Sequence, residues 1–198
     1  MSTVTTSLVL VLVHLTSIFA QCPWGRDPAL VELQSSCLCA LNTQQQLSIQ
    51  CSLVNFPMLA SALGEYARDV PIDLVYVNNS AVAELPDNLF RGLKISNLQM
   101  NNAKISKISP NAFRGLEDTL QGLNLAENEL TEVPVETLRT LRLLNNLDLT
   151  NNRIQYVPNN LCCHICKEEK LSQQHMYCNL YIASDYKAQN AGEAKSKL

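Results

Sequence analysis

The side chains best suited to chemistry are cysteines and histidines near the end of this 198-residue chain. Cys163-His164-Ile165-Cys166, with His175 and Cys178, offers the thiolate and imidazole ligands that zinc takes. On the secretory route the same thiols instead pair as disulfides or stay free, and this is the expectation adopted. Asn78-Asn79-Ser80 is a glycosylation sequon, and Asn160-Leu161-Cys162 is a weak variant of one. Ser196-Lys197-Leu198 spells a peroxisomal address, which a translocated chain never presents to its cytosolic receptor. Past the first segment the only histidines are His164 and His175, and no nucleophile elbow, phosphate loop or HExxH is present. Hydrolytic chemistry needs a base beside a nucleophile. The expectation is therefore no enzyme, no catalytic residue, no cofactor and no metal.

The compartment follows from the N-terminus and the cysteine count. Leu8–Leu15 is an apolar run of signal-peptide length, far short of the roughly 20 residues a membrane span needs. Ala20 precedes Gln21 at a cleavable position, although Met1–Ser7 carries no Lys or Arg. Residues 1–20 are read as a signal peptide and the product as secreted, with no transmembrane segment. The eight cysteines fit an oxidising compartment. Cys22, Cys37, Cys39 and Cys51 cluster early, and Cys162, Cys163, Cys166 and Cys178 late. A net charge of −3 without a basic stripe excludes a nucleic-acid partner.

What must position these residues is a period. Leu120, Leu123, Leu125, Asn128 and Leu130 recur as Leu144, Leu147, Leu149, Asn152 and Ile154. Both fit L-x-x-L-x-L-x-x-N-x-L. Weaker copies stand at Ile95, Leu98, Met100 and Ile105, and at Ile72, Val75, Val77 and Val82. The starts lie about 24 residues apart, within the leucine-rich-repeat range. Each x-L-x-L-x is a short strand whose inward side chains cannot be buried alone, so strands stack in parallel on one shared core. Asn128 and Asn152 are read as structural, satisfying backbone groups where the chain turns away. Ser80 can serve the same slot, but Ala103 cannot, and slack or a water is expected there. Pro86, Pro110, Pro134 and Pro158 discourage long helices in the return segments, where Phe90, Phe113 and Leu138 form an outer spine.

The expected architecture is α/β: a leucine-rich-repeat solenoid, a short right-handed curved horseshoe with a parallel β-sheet on its concave face and a disulfide-bonded N-terminal cap. Cap residues 21–58 precede about four repeats over 59–161, and an atypical Cys-containing tail, partly disordered, fills 162–198. Leu47-Ser48-Ile49-Gln50-Cys51 alternates as a first strand. Four cysteines allow three pairings, and the spacing chooses none. Outward positions on the sheet are Leu74, Tyr76, Asn97, Gln99, Gly122, Asn124, Asn146 and Asp148. They form a polar strip with Tyr76 as the aromatic anchor of a binding surface. A glycan on Asn78 would shield one border of the strip.

CPWGRDPALVELQSSCLC, PIDLVYVNNS, ELPDNLFRGLKISNLQM and AFRGLEDTLQGLNLAENEL resemble the start of insect extracellular leucine-rich-repeat proteins of the chaoptin-like and artichoke-like group. The likeness runs from about Cys22 to about Leu161 and implies pairing of Cys22 with Cys39 and Cys37 with Cys51. It further implies a non-catalytic protein-binding or adhesion role in extracellular matrix or on sensory and neural cell surfaces, toward an extracellular protein ligand or matrix component. Members carry more repeats, and the tail from Cys162 continues neither the period nor the usual flanking pattern. The end is thus expected as a shortened variant whose last layer stays uncapped unless the tail folds over it. Exposing roughly 300 Å² of apolar core there would cost about 7 kcal/mol, favouring self-association. The alternatives are a structural matrix component assembled through that end, a truncated non-functional isoform, or an intracellular zinc-binding protein.

Overall fold

The computed structural model describes residues 22–156 and the backbone of the strand Asn179–Ile182. The first and last segments discussed above, residues 1–20 and 157–178 and 183–198, lie outside the described residues. With them go Cys162, Cys163, Cys166, Cys178, both tail histidines, Pro158 and the terminal tripeptide. Among the described residues no helix is long and apolar enough to cross a membrane.

The chain is mixed α/β, with one sheet dominated by parallel pairs and two disulfides near its N-terminal end. Alternating side chains fix the sheet. Cys37–Leu41 (β1) and Leu47–Ser52 (β2) form an antiparallel hairpin in which Cys37 faces Cys51 and Cys39 faces Ile49. Its turn is shaped by Asn42, whose Oδ1 accepts from the N–H groups of Gln44 and Gln46, both at 2.9 Å. Leu47–Cys51, expected as the first strand, is preceded by β1. The Cys37-Leu38-Cys39 alternation buries both cysteines and leaves Leu38 outside.

Pro71–Asn78 (β3) joins β2 in parallel. Glu84–Leu85 (β4) leaves for a separate two-stranded sheet with Lys107–Ile108 (β6), while Lys94–Asn101 (β5) continues the main sheet beside β3. Gly122–Asn124 (β7) and Asn146–Leu149 (β8) follow, also parallel. The last strand, Asn179–Ile182 (β9), pairs in parallel with β8. The sheet thus extends one strand past β8: Leu180 stands opposite Leu147 and Ile182 opposite Leu149. The physical reason is local, since Asn-Leu-Tyr-Ile keeps the two-residue alternation of the earlier strands although the longer spacing is broken.

One side of the sheet is dry. Ile72, Val75, Val77, Ile95, Leu98, Met100, Leu123, Leu125, Leu147 and Leu149 lie in a single hydrophobic core. Burying each such side chain stabilises the fold by about 1.5–3 kcal/mol. Across the core, Phe90 and Phe113 stack with centroids 5.8 Å apart, and Leu138 is buried as well. Leu138 ends a four-residue helix, Val135–Leu138; a longer one, Phe56–Tyr66, lies between β2 and β3. Asn55 caps the longer helix by accepting from Met58 N–H at 3.2 Å, and Phe56, Leu59, Ala62 and Leu63 pack inward. The boundary drawn after residue 58 falls inside this helix. Its last residue, Tyr66, donates its hydroxyl to Asp27 Oδ2 at 2.7 Å, tying the helix to the first loop.

β2, β3, β5, β7 and β8 each give way to a turn containing a left-handed residue: Leu53, Asn79, Asn102, Glu127 and Asn151 respectively. Asn adopts that backbone at little cost because its short amide bonds locally, whereas Leu53 and Glu127 hold it at greater cost. Just past it, Asn128 is buried with every polar atom engaged. Its Oδ1 accepts from Ala103 and Ile105 N–H at 3.0 Å each. Its Nδ2 donates to the carbonyls of Met100, Leu125 and Ala126. Asn152 does the same one strand later, accepting from Leu130 N–H and donating to Leu125, Leu149 and Thr150. Ser80 substitutes with a hydroxyl that accepts from Val54 N–H and donates to Asn78 O, both at 3.1 Å. At Ala103 the expected slack is absent. The side chain is fully buried, and the Ala103 carbonyl itself accepts Val82 N–H at 2.7 Å.

Candidate functional site

The register that buries Val75, Leu98, Leu123 and Leu147 turns the intervening residues to the opposite side. Leu74, Asn97, Gly122 and Asn146 form one row across the strands. Tyr76, Gln99, Asn124 and Asp148 form a second. All are half-buried except Asn146, which is exposed. Every outward position anticipated from the sequence therefore lies on one surface. That surface is wider than anticipated. Ser48 stands beside Leu74 and Gln50 beside Tyr76, and at the far border Asn179 and Tyr181 hold the register positions next to Asn146 and Asp148. The alternation Leu47-Ser48-Ile49-Gln50-Cys51 carried the signal for the first two.

Within the strip, polar side chains organise one another. Asp148 Oδ1 accepts from Thr150 N–H at 2.9 Å and from the Thr150 hydroxyl at 2.8 Å. Asp148 Oδ2 accepts from Asn124 Nδ2 at 3.3 Å, and Asn124 Oδ1 accepts from Ala126 N–H at 2.9 Å. Asn97 Nδ2 donates to the Asp73 carbonyl at 3.1 Å. The glycine at 122 leaves a hollow of about 110 Å³ lined by Asn97, Gln99, Leu123, Asn124, Asn146 and Asp148. A neutral amide floor with one carboxylate can accept and donate hydrogen bonds. Thr150, the residue that orients Asp148, carries no signal in the repeat pattern, because its hydroxyl acts only through the turn after β8.

The other anticipated residues lie elsewhere. Cys22 is bonded to Cys39 and Cys37 to Cys51, at the opposite border of the sheet from the hollow. Asn128 and Asn152 sit under the turns and do not reach the strip. Asn78 ends β3, half-buried and paired with Asn101, while the Ser80 hydroxyl of its sequon is buried and engaged. Among the described residues no group of three or more His, Cys, Asp or Glu side chains could hold a metal ion. No family model matches the chain, and no curated protein matches it.

Proposed function

We propose that the chain is a secreted or cell-surface leucine-rich-repeat protein, a short curved solenoid that binds other proteins through its outward sheet face and catalyses nothing. The observation that carries this is the pair of in-register rows from Leu74 and Tyr76 to Asn146 and Asp148. They are mainly amides, with a single carboxylate at Asp148 and one aromatic, backed by a continuous aliphatic core. A surface of that composition suits protein recognition, with Tyr76 as anchor and amides that bond either backbone donors or acceptors. The matched turns at Asn128 and Asn152 support the repeat assignment, and the two disulfides of the first hairpin support a cap folded in an oxidising compartment. On this reading residues 1–20 are removed, 21–58 cap the solenoid and Asn78 carries a glycan. The resemblance to insect adhesion and matrix proteins points to an extracellular protein ligand.

The test is expression of the full chain in insect cells, followed by binding of the purified, labelled product to neural and non-neural cell surfaces. Saturable, protease-sensitive binding is expected, lost in Tyr76→Ala combined with Gln99→Arg and kept in Arg114→Glu on the far wall. Retention of the chain inside the cells, or binding indifferent to the strip variants, would contradict the proposal.

A further inference from the structure

We propose that the hollow over Gly122 is the seat for one arginine side chain of the protein partner; this rests on the protein-binding function above. The hollow exists because residue 122 has no side chain. A β-carbon there would lie 2.5 Å from Asn97 Oδ1, so that oxygen overhangs the gap. With Asn97 Nδ2 committed to Asp73, Asn97 Oδ1 accepts no hydrogen bond from the described residues. On β8, separated from the strand of Asn97 by β7, Asp148 Oδ1 is doubly engaged by Thr150, which fixes the carboxylate plane, whereas Oδ2 has one long bond from Asn124 and an open lone pair. Gln99 and Asn146 complete the lining, and their amide groups make no hydrogen bond to described residues. Among the described residues no lysine, arginine or histidine lines the hollow to neutralise Asp148.

The chemistry this selects is cationic and planar. Two oxygen acceptors lining one hollow, joined by amide oxygens that can rotate inward, match the several N–H donors of a guanidinium fanned in one plane. An ammonium is compact and more strongly hydrated, so it gives up more on entering and reaches fewer of these oxygens. The carboxylate makes the bonds charge-assisted, roughly twice as strong as neutral ones. A sugar would find the amides but leave Asp148 without a counter-charge. The half-buried setting of Asp148 limits competition from water without the full desolvation cost of a deep ion pair.

The experiment is a titration of the full-length isotope-labelled protein with N-acetyl-arginine methylamide, and with its citrulline and lysine counterparts, read at the side-chain amide resonances of Asn97, Gln99, Asn124 and Asn146. Saturable shifts are expected with the arginine probe, with about tenfold weaker binding for citrulline, as loss of a charge-assisted bond implies. Asp148→Asn and Gly122→Ala should weaken the arginine probe similarly. Gly122 has an ordinary strand backbone and its added methyl meets only the flexible Asn97 amide, so Gly122→Ala keeps the fold, which unchanged distant resonances would show. Equal response to citrulline or lysine, indifference to both substitutions, or no response at all would overturn the assignment. If the cell-surface binding survives such a result, the arginine seat is wrong and the protein-binding face stands; if both fail, the face itself is wrong.

Discussion

Asn128 carries more hydrogen bonds than any other side chain described here, two accepted and three donated, in a site closed to water. Replacing it with alanine strands two buried N–H groups, each costing about 1–3 kcal/mol. Asn128→Ala is therefore expected to lose about 4 kcal/mol in denaturant unfolding, and Asn152→Ala about half that, since only Leu130 N–H loses its acceptor. A loss below about 1 kcal/mol for Asn128→Ala would contradict the role given to it. A second residue-scale expectation concerns pH. The hydrogen bond to Asp27, with some desolvation, pushes the Tyr66 hydroxyl up to about 12. The hydrogen bond from Tyr66, then that from Ala29 N–H, lowers the Asp27 carboxyl from its usual value. The contact therefore stabilises the folded state fully below the unfolded tyrosine value of about 10, and that share is lost as pH rises through about 12. Its carboxylate share is present above about pH 4 and is lost as pH falls below that. Tyr66→Phe should lower the melting temperature at neutral pH, with the gap to the parent protein closing toward both extremes. A gap constant with pH would rule out the Asp27 contact as its cause.

At the scale of elements, what the sequence made legible were positions that depend on near neighbours. Inward Leu98, Leu123 and Leu147 and the slot of Asn128 follow from alternation and a fixed interval. The helix Phe56–Tyr66 has a local signature in Asn55 followed by Pro57 and the spacing Phe56, Leu59, Ala62, Leu63, but it lies outside the repeat interval that gives the strands away. The β9 strand was hidden by the broken interval, not by its own alternation. Gly122 was placed on the outward face, but its hollow was invisible because it depends on where the Asn97 amide of another strand points. The spine gives a prediction at this scale. Phe113 is fully buried and stacks on Phe90, so Phe113→Ala should cost about 3–5 kcal/mol and should also loosen the turn around Phe90. Amide hydrogen exchange that speeds up only next to residue 113 would show that the two return segments are not packed as one wall.

For the molecule as a whole, stability and recognition come from the same alternation, because each strand gives one row of side chains to the core and the next to the outward strip. The ion pairs between successive segments, Lys94 with Asp69, Lys107 with Glu84, Arg142 with Asp118 and Arg153 with Glu129, run along the outside. They are solvent-exposed and worth little individually, so they fix spacing more than they hold the fold. Loss of register by one residue would send Leu98, Leu123 and Leu147 outward and the amides inward, abolishing core and strip together. The most direct measurement is a set of backbone nuclear Overhauser contacts in the intact chain across β3, β5, β7 and β8. The expected result is a parallel ladder linking Val75 with Leu98, Leu98 with Leu123 and Leu123 with Leu147, with Tyr76, Gln99, Asn124 and Asp148 aligned one residue on; antiparallel contacts, or a register shifted by one, would contradict it.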